Sequence, residues 1–218
     1  MDKIIPAFEL SLLDPTISDV CADMLETGID SLLDDGIFKS IPIVGVLIGA
    51  GKTAQNIHER NLLRQTINFI NSFNDGTIKR EKLDKYRRKI SEDSHKAEEE
   101  MGRVIILLNK NVDIKKSEIL GSFFKEYVNE NISWDQFCEL SDVTMRLFLA
   151  DIDLLLKINR KTITDTSQCV AYQAERLNSL GLIETAIKSL TFSSGRNESP
   201  KELYISDLGR RFVRYGIS

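Results

Sequence analysis

Apolar residues recur along most of the chain with the 3.6-residue period of helices packed on one face; near the C-terminus the period shortens towards that of strands. Ile17, Val20, Cys21, Met24, Leu25, Ile29, Leu32 and Leu33 trace one side of a helix that Asp14 caps and Pro15 opens, with Asp19, Asp23, Glu26 and Asp30 opposite. Residues 1–13 are apolar without that period, and Pro6 interrupts them, so an irregular strap is expected there. Leu62, Thr66, Phe69 and Phe73, with Leu63, Ile67 and Ile70, predict a second amphipathic helix that Asn74-Asp75-Gly76 ends. Residues 79–103 read as a charged helix broken near Ser91–Ser94, and the apolar run at 104–108 as a buried helix end. A helix is expected from about Asp113 to Asn129, with Ile119, Leu120, Phe123, Phe124 and Tyr127 inside. The next opens on a capping box, Ser133 with Gln136, and an Ile132–Phe137 staple, and is expected to run unbroken to Ile158.

The densest apolar run, Ile41–Gly51, tests two specific chemistries. Gly51-Lys52-Thr53 resembles the end of a phosphate-binding loop, but that loop requires glycine five positions before Gly51, and Val46 stands there. Nucleotide binding by Gly51, Lys52 and Thr53 is therefore rejected. Gly45 and Gly49, four residues apart, instead predict a small-residue face against which a neighbouring helix packs. A membrane span needs about 20 apolar residues, and Lys39 and Lys52 bracket a shorter run. Insertion of 37–51 on activation, as in a defence or toxin effector, stands as an alternative reading.

The C-terminal quarter changes character. Residues 167–180 predict a short helix closed by Gly181, followed by a strand from Leu182, a polar loop at 193–201, a returning strand at 203–205, and a final helix capped by Ser206. The segments RLNSLGLIE (176–184) and LYISDLGRRFVRYG (203–216) resemble a winged-helix domain, the first ending its recognition helix and the second leading into its last helix. Only NRKTITDT separates Ile158 from Ser167, too little for the preceding helix of a helix-turn-helix. The resemblance therefore implies a degenerate winged helix that packs against proteins. The N-terminal helical body resembles uncharacterised bacterial helical proteins, a likeness that implies no activity. The expected architecture is mainly α: a multi-helix bundle over 1–158, and a small winged-helix-like α+β domain over 159–218 that shares the 134–158 helix.

Composition changes this picture in three places. Net charge is −4, which gives no global drive towards nucleic acid, but residues 1–36 carry one Lys against nine acids while 159–218 carry nine bases against six. Lys79–Lys89 holds seven bases and two acids; the Glu81–Lys85 and Asp84–Arg88 spacings fit a solvated helix, and Lys82, Arg87, Arg88 and Lys89 are the candidate phosphate patch. Cys21, Cys138 and Cys169 are far apart among apolar neighbours and read as reduced thiols of a cytoplasmic protein; with two histidines and no Cys-x-x-Cys, no metal site is expected.

No Ser-His-Asp, Cys-His or glycine-rich dinucleotide pattern stands out. The chain is expected to be a non-enzymatic interaction or regulatory subunit without a cofactor, contacting a protein partner or itself. The alternative of a DNA-binding regulator would place Arg176, Arg196, Lys201, Arg210, Arg211 and Arg214 on phosphates.

Overall fold

The computed structural model describes residues 3–14, 16–17, 20–21, 41–48, 57–187 and 200–217. Gly49, Gly51, Lys52, Thr53, Arg196 and most of the expected acidic helix after Asp14 lie outside them. The described chain is mainly helical, with a small two-stranded antiparallel sheet near the C-terminus. It divides into two compact units, Met1–Ser141 and Asp142–Ser218.

In the first unit, Ile4–Leu13 forms helix α1 and not the expected strap. Pro6 falls in the first turn, where a backbone N–H has no intrahelical acceptor to lose, so it does not break the helix. Phe8 and Leu12, one turn apart, are fully buried. Helix α2, Pro42–Ile48, starts on Pro42 as its spacing predicts. The Ser11 hydroxyl accepts from the Ile43 N–H (2.9 Å) and donates to the Ala7 carbonyl (2.8 Å), so α1 supplies a donor-satisfying group to the first turn of α2. Ile41, Ile43 and Val44 are buried. Gly45 departs from expectation: it is exposed, and among the described residues a Cβ built on it meets nothing within 4 Å.

Helices α3 (Ile57–Phe73), α4 (Arg80–Glu92), α5 (Ser94–Lys110), α6 (Ile114–Val128) and α7 (Trp134–Arg146) follow, the last continuing past the division. The apolar run at 104–108 is helical within α5. Helices α3 and α6 approach closely at Gly121, where a Cβ would lie 2.6 Å from the Phe69 carbonyl oxygen. The close helix approach expected at Gly45 is thus made by Gly121. Phe124, three residues on in the same helix, is the hub of an aromatic cluster, with ring centroids 5.8 Å from Phe69, 5.7 Å from Phe73, 5.8 Å from Tyr86 and 5.3 Å from Phe137. A buried polar chain accompanies it. Ser117 donates to Gln65 (2.7 Å), Asn111 donates to Ser117 (2.9 Å), and Gln65 reaches the Val112 carbonyl (3.0 Å), so the turn before α6 is tied to α3, while the buried Asn111 Oδ1 has no partner among the described residues.

Three helices end in the same way, with the residue after the cap in the left-handed region and the next N–H bonded back five residues. These are Glu130 (φ 61°) after α6, Lys161 (φ 57°) after α8 (Leu149–Asn159), and Gly181 (φ 73°) after α9 (Ala171–Ser179). Only Gly181 has the residue type that announces such an end in a sequence.

The second unit holds α8, a 3₁₀ turn at Thr166–Gln168, α9, strands β1 (Ile183–Ile187) and β2 (Lys201–Ile205), and α10 (Asp207–Gly216). The strands pair with Ile183 opposite Ile205, and Asp165 bridges to Glu202 beyond them. Ser206 caps α10 through the Gly209 N–H (2.9 Å), as expected. Gly209 is required there, since a Cβ would come within 2.0 Å of the Leu182 carbonyl oxygen. Leu154, Leu155 and Ile158 of α8 are buried together with Leu177, Leu182, Ile183 and Phe212, whereas Tyr204 is exposed and Leu180, Ile205 and Leu208 are half-buried.

The unbroken helix expected over 134–158 is in fact two. The chain leaves α7 at Arg146, Phe148 is extended (φ −91°, ψ 159°), and α8 begins at Leu149. The break is held by the Asp151 carboxylate, which accepts from the Phe148 N–H at 2.8 Å. Neither proline nor glycine marks it, which is why periodicity alone reads through.

Candidate functional site

Among the described residues, two groups of side chains have the geometry of sites, one in each unit. In the C-terminal unit, Asp151 is fully buried and is gripped by Arg176 of α9 through two hydrogen bonds, Nε at 2.8 Å and Nη2 at 3.1 Å. This bidentate fork fixes the guanidinium plane. The charged group stands over the Phe148 ring at 4.5 Å and the Tyr172 ring at 5.6 Å. Both rings are 62% exposed, and Val170 and Leu149 extend the apolar surface beside them. A buried acid, a planar cation and two exposed aromatics therefore form one preorganised patch. By sequence Arg176 is a candidate for phosphate contact, but its charge is spent inward on Asp151.

Arg210, Arg211 and Arg214 gather on α10. Arg210 pairs with Asp207 and donates to the Ile205 carbonyl (2.8 Å). Arg211 and Arg214 are exposed, with Arg214 over Tyr215 at 5.4 Å. Together with Asn159 these three arginines border an open depression of about 590 Å³ that Arg176 does not line. Lys201 is exposed and donates its backbone N–H to Thr166.

In the N-terminal unit, the four bases expected to make one phosphate patch separate. Arg87 bonds to the Leu13 carbonyl and borders a depression shared with Glu9 and Asp14, and Arg88 is exposed. Lys82 and Lys89 remain together, joined by Lys85, around a cavity of about 600 Å³ between α4, the end of α6 and the start of α7. Lys82, Lys85 and Lys89 are spaced at i, i+3 and i+7, so one helix face carries all three. Lys82 and Lys85 each take one oxygen of Glu130, Lys85 at 2.6 Å. These hydrogen bonds, the one from Lys82 foremost, hold the Glu130 carboxyl at about 2. Its contribution to stability is thus present above the ordinary glutamate range and is lost as pH falls through about 2.

Deeper in, the buried Glu100 carboxylate accepts from Tyr86 (2.8 Å), Tyr127 (2.7 Å) and Lys89 (3.0 Å). Lys89 also donates to the Tyr127 hydroxyl and lies 4.9 Å from that ring and 5.4 Å from the Tyr86 ring. Burial and the Glu100 carboxylate push both phenols well above the usual tyrosine range. They are donors to Glu100 and not acids at neutral pH.

Sequence reasoning missed Lys85, Glu130 and Glu100. The sequence pairs Lys85 with Glu81 at i,i+4, and nothing in the order of residues announces that Glu130 meets it from the far side of the chain. Of the thiols, Cys21 is buried and pushed up to about 12 by that burial, which leaves it unreactive. Cys138 and Cys169 are half-buried, less enclosed than the core positions expected of them. Among the described residues no helix is long and apolar enough to cross a membrane. Comparison with protein-family models, with curated proteins and with solved structures returns no match.

Proposed function

We propose that the chain is a non-enzymatic interaction or regulatory subunit whose C-terminal unit contacts a protein partner through the patch of Phe148, Tyr172 and Arg176. The single observation that carries this is the bidentate Arg176–Asp151 pair under two exposed aromatic rings. Tyrosine, tryptophan and arginine dominate binding energy in protein interfaces, where a rigid, preordered side chain loses little entropy on association. The same pair argues against sequence readout of DNA by α9, because phosphate anchoring needs outward-facing bases and Arg176 is that helix's one base.

The order helix, short extended bridge, 3₁₀ turn, helix, antiparallel pair and helix supports reading the unit as a degenerate winged helix. In that reading the first helix of the helix-turn-helix has shrunk to Thr166–Gln168. The three arginines around the α10 depression favour a second reading, contact with a nucleic-acid backbone by that helix. For membrane insertion of 37–51, the described part of the segment offers little, since Ile41, Ile43 and Val44 are already buried.

Affinity capture from the native cell, run with and without nuclease, separates the readings. A partner retained after digestion and lost with Phe148→Ala/Tyr172→Ala, at unchanged melting temperature, is the expected result. Capture that disappears with nuclease and with Arg211→Ala/Arg214→Ala would replace it by the nucleic-acid reading.

A further inference from the structure

The lysine cavity of the N-terminal unit carries an inference of its own. Its volume, about 600 Å³, is that of a small-ligand pocket, yet its mouth holds only one carboxylate group. Three ammonium groups on one helix face border it. Each has three N–H donors. Lys82 and Lys85 each place one on Glu130, and Lys89 places two, on Glu100 and Tyr127. Donors therefore remain on every lysine beyond the hydrogen bonds they make in the described structure.

Lys89 is not a loose surface side chain. It is braced by a fully buried carboxylate and by two aromatic rings, so its position is set before any ligand arrives. Glu130, by contrast, approaches the lysines from the surface. It is exposed, and it occupies a left-handed backbone position that glycine or asparagine fits better. A non-glycine residue held there places a carboxylate, one oxygen per lysine, at the cavity mouth.

A phosphate monoester offers three oxygens and nearly two negative charges where Glu130 offers two oxygens and one. It can satisfy Lys82 and Lys85 in the same bridging manner and still present an oxygen to Lys89. We propose that this cavity binds the phosphate group of a small ligand, with Glu130 as the resident carboxylate that the ligand replaces on Lys82 and Lys85. Arg87 and Arg88, named with Lys82 and Lys89 from sequence, take no part.

Inorganic phosphate is the probe, titrated into the full chain at constant ionic strength with chloride as the matched control and followed by amide nitrogen–proton correlation spectra. The expected result is saturable shifts confined to the amides of 82–89 and 127–136, with half-saturation in the millimolar range or tighter. Lys82→Gln should weaken the apparent affinity about tenfold, the loss of roughly one charge-assisted hydrogen bond. Glu130→Gln, which keeps the fold and removes the competing charge, should tighten it several-fold. The proposal is overturned by shifts that grow without curvature up to about 10 mM. Equal affinity in the Glu130→Gln variant overturns it too, as does a response centred on Arg211 and Arg214.

Discussion

Gly121 shows how much a single position decides. A helix-interior glycine ordinarily lowers stability, and alanine is favoured there by about 1 kcal/mol. Here the added methyl would lie 2.6 Å from a backbone carbonyl and 2.9 Å from the Ser72 Cβ, and neither can step aside without moving α3. Overpacking of this kind costs about 1–3 kcal/mol, so it outweighs the gain in propensity. Gly121→Ala is therefore expected to lower the urea midpoint, while Gly45→Ala, on an open helical face, should leave it unchanged or raise it. A rise for Gly121→Ala would show that α3 and α6 are less closely packed than described. Gly45 had the neighbours that suggest a tight interface, and Gly121 had none; among the described residues only the second has another backbone against it.

At the scale of elements, the break between α7 and α8 and the exposed patch are one construction. Asp151 accepts the Phe148 N–H that starts α8 and the two Arg176 N–H groups that dock α9. Removing Arg176 leaves a buried carboxylate without its cation, a loss of about 3 kcal/mol for pairs of this kind. Arg176→Ala should therefore reduce the stability of the C-terminal unit by roughly that amount in chemical denaturation. Arg176→Lys, which cannot make the bidentate fork, should fall between it and the parent chain. Equal stability of all three would mean that the pair is incidental to the docking of α9.

For the molecule as a whole, the placement of α8 matters most. Its Leu154, Leu155 and Ile158 are buried within the C-terminal unit, where the two strands and α9 and α10 offer too little apolar surface to close a core unaided. A fragment of residues 142–218 is expected to melt cooperatively by circular dichroism, and one of residues 159–218 is not. A cooperative melt of the shorter fragment would show that α8 is dispensable and that the C-terminal elements fold as an autonomous module.

The sequence by itself determined the helical character, most helix limits, the Ser133–Gln136 and Ser206 caps, the Gly181 stop and the antiparallel strand pair. All of these rest on local signals: a period, a capping side chain within three residues, or a glycine where the backbone turns left-handed. Tertiary structure alone decided what lies far apart in the chain and close in space. It turned Arg176 inward onto Asp151, divided the expected basic patch between Leu13, Glu100 and Glu130, and moved the close helix approach from Gly45 to Gly121. Charges and close approaches depend on which atoms meet across the fold, and a linear pattern holds no record of that distance.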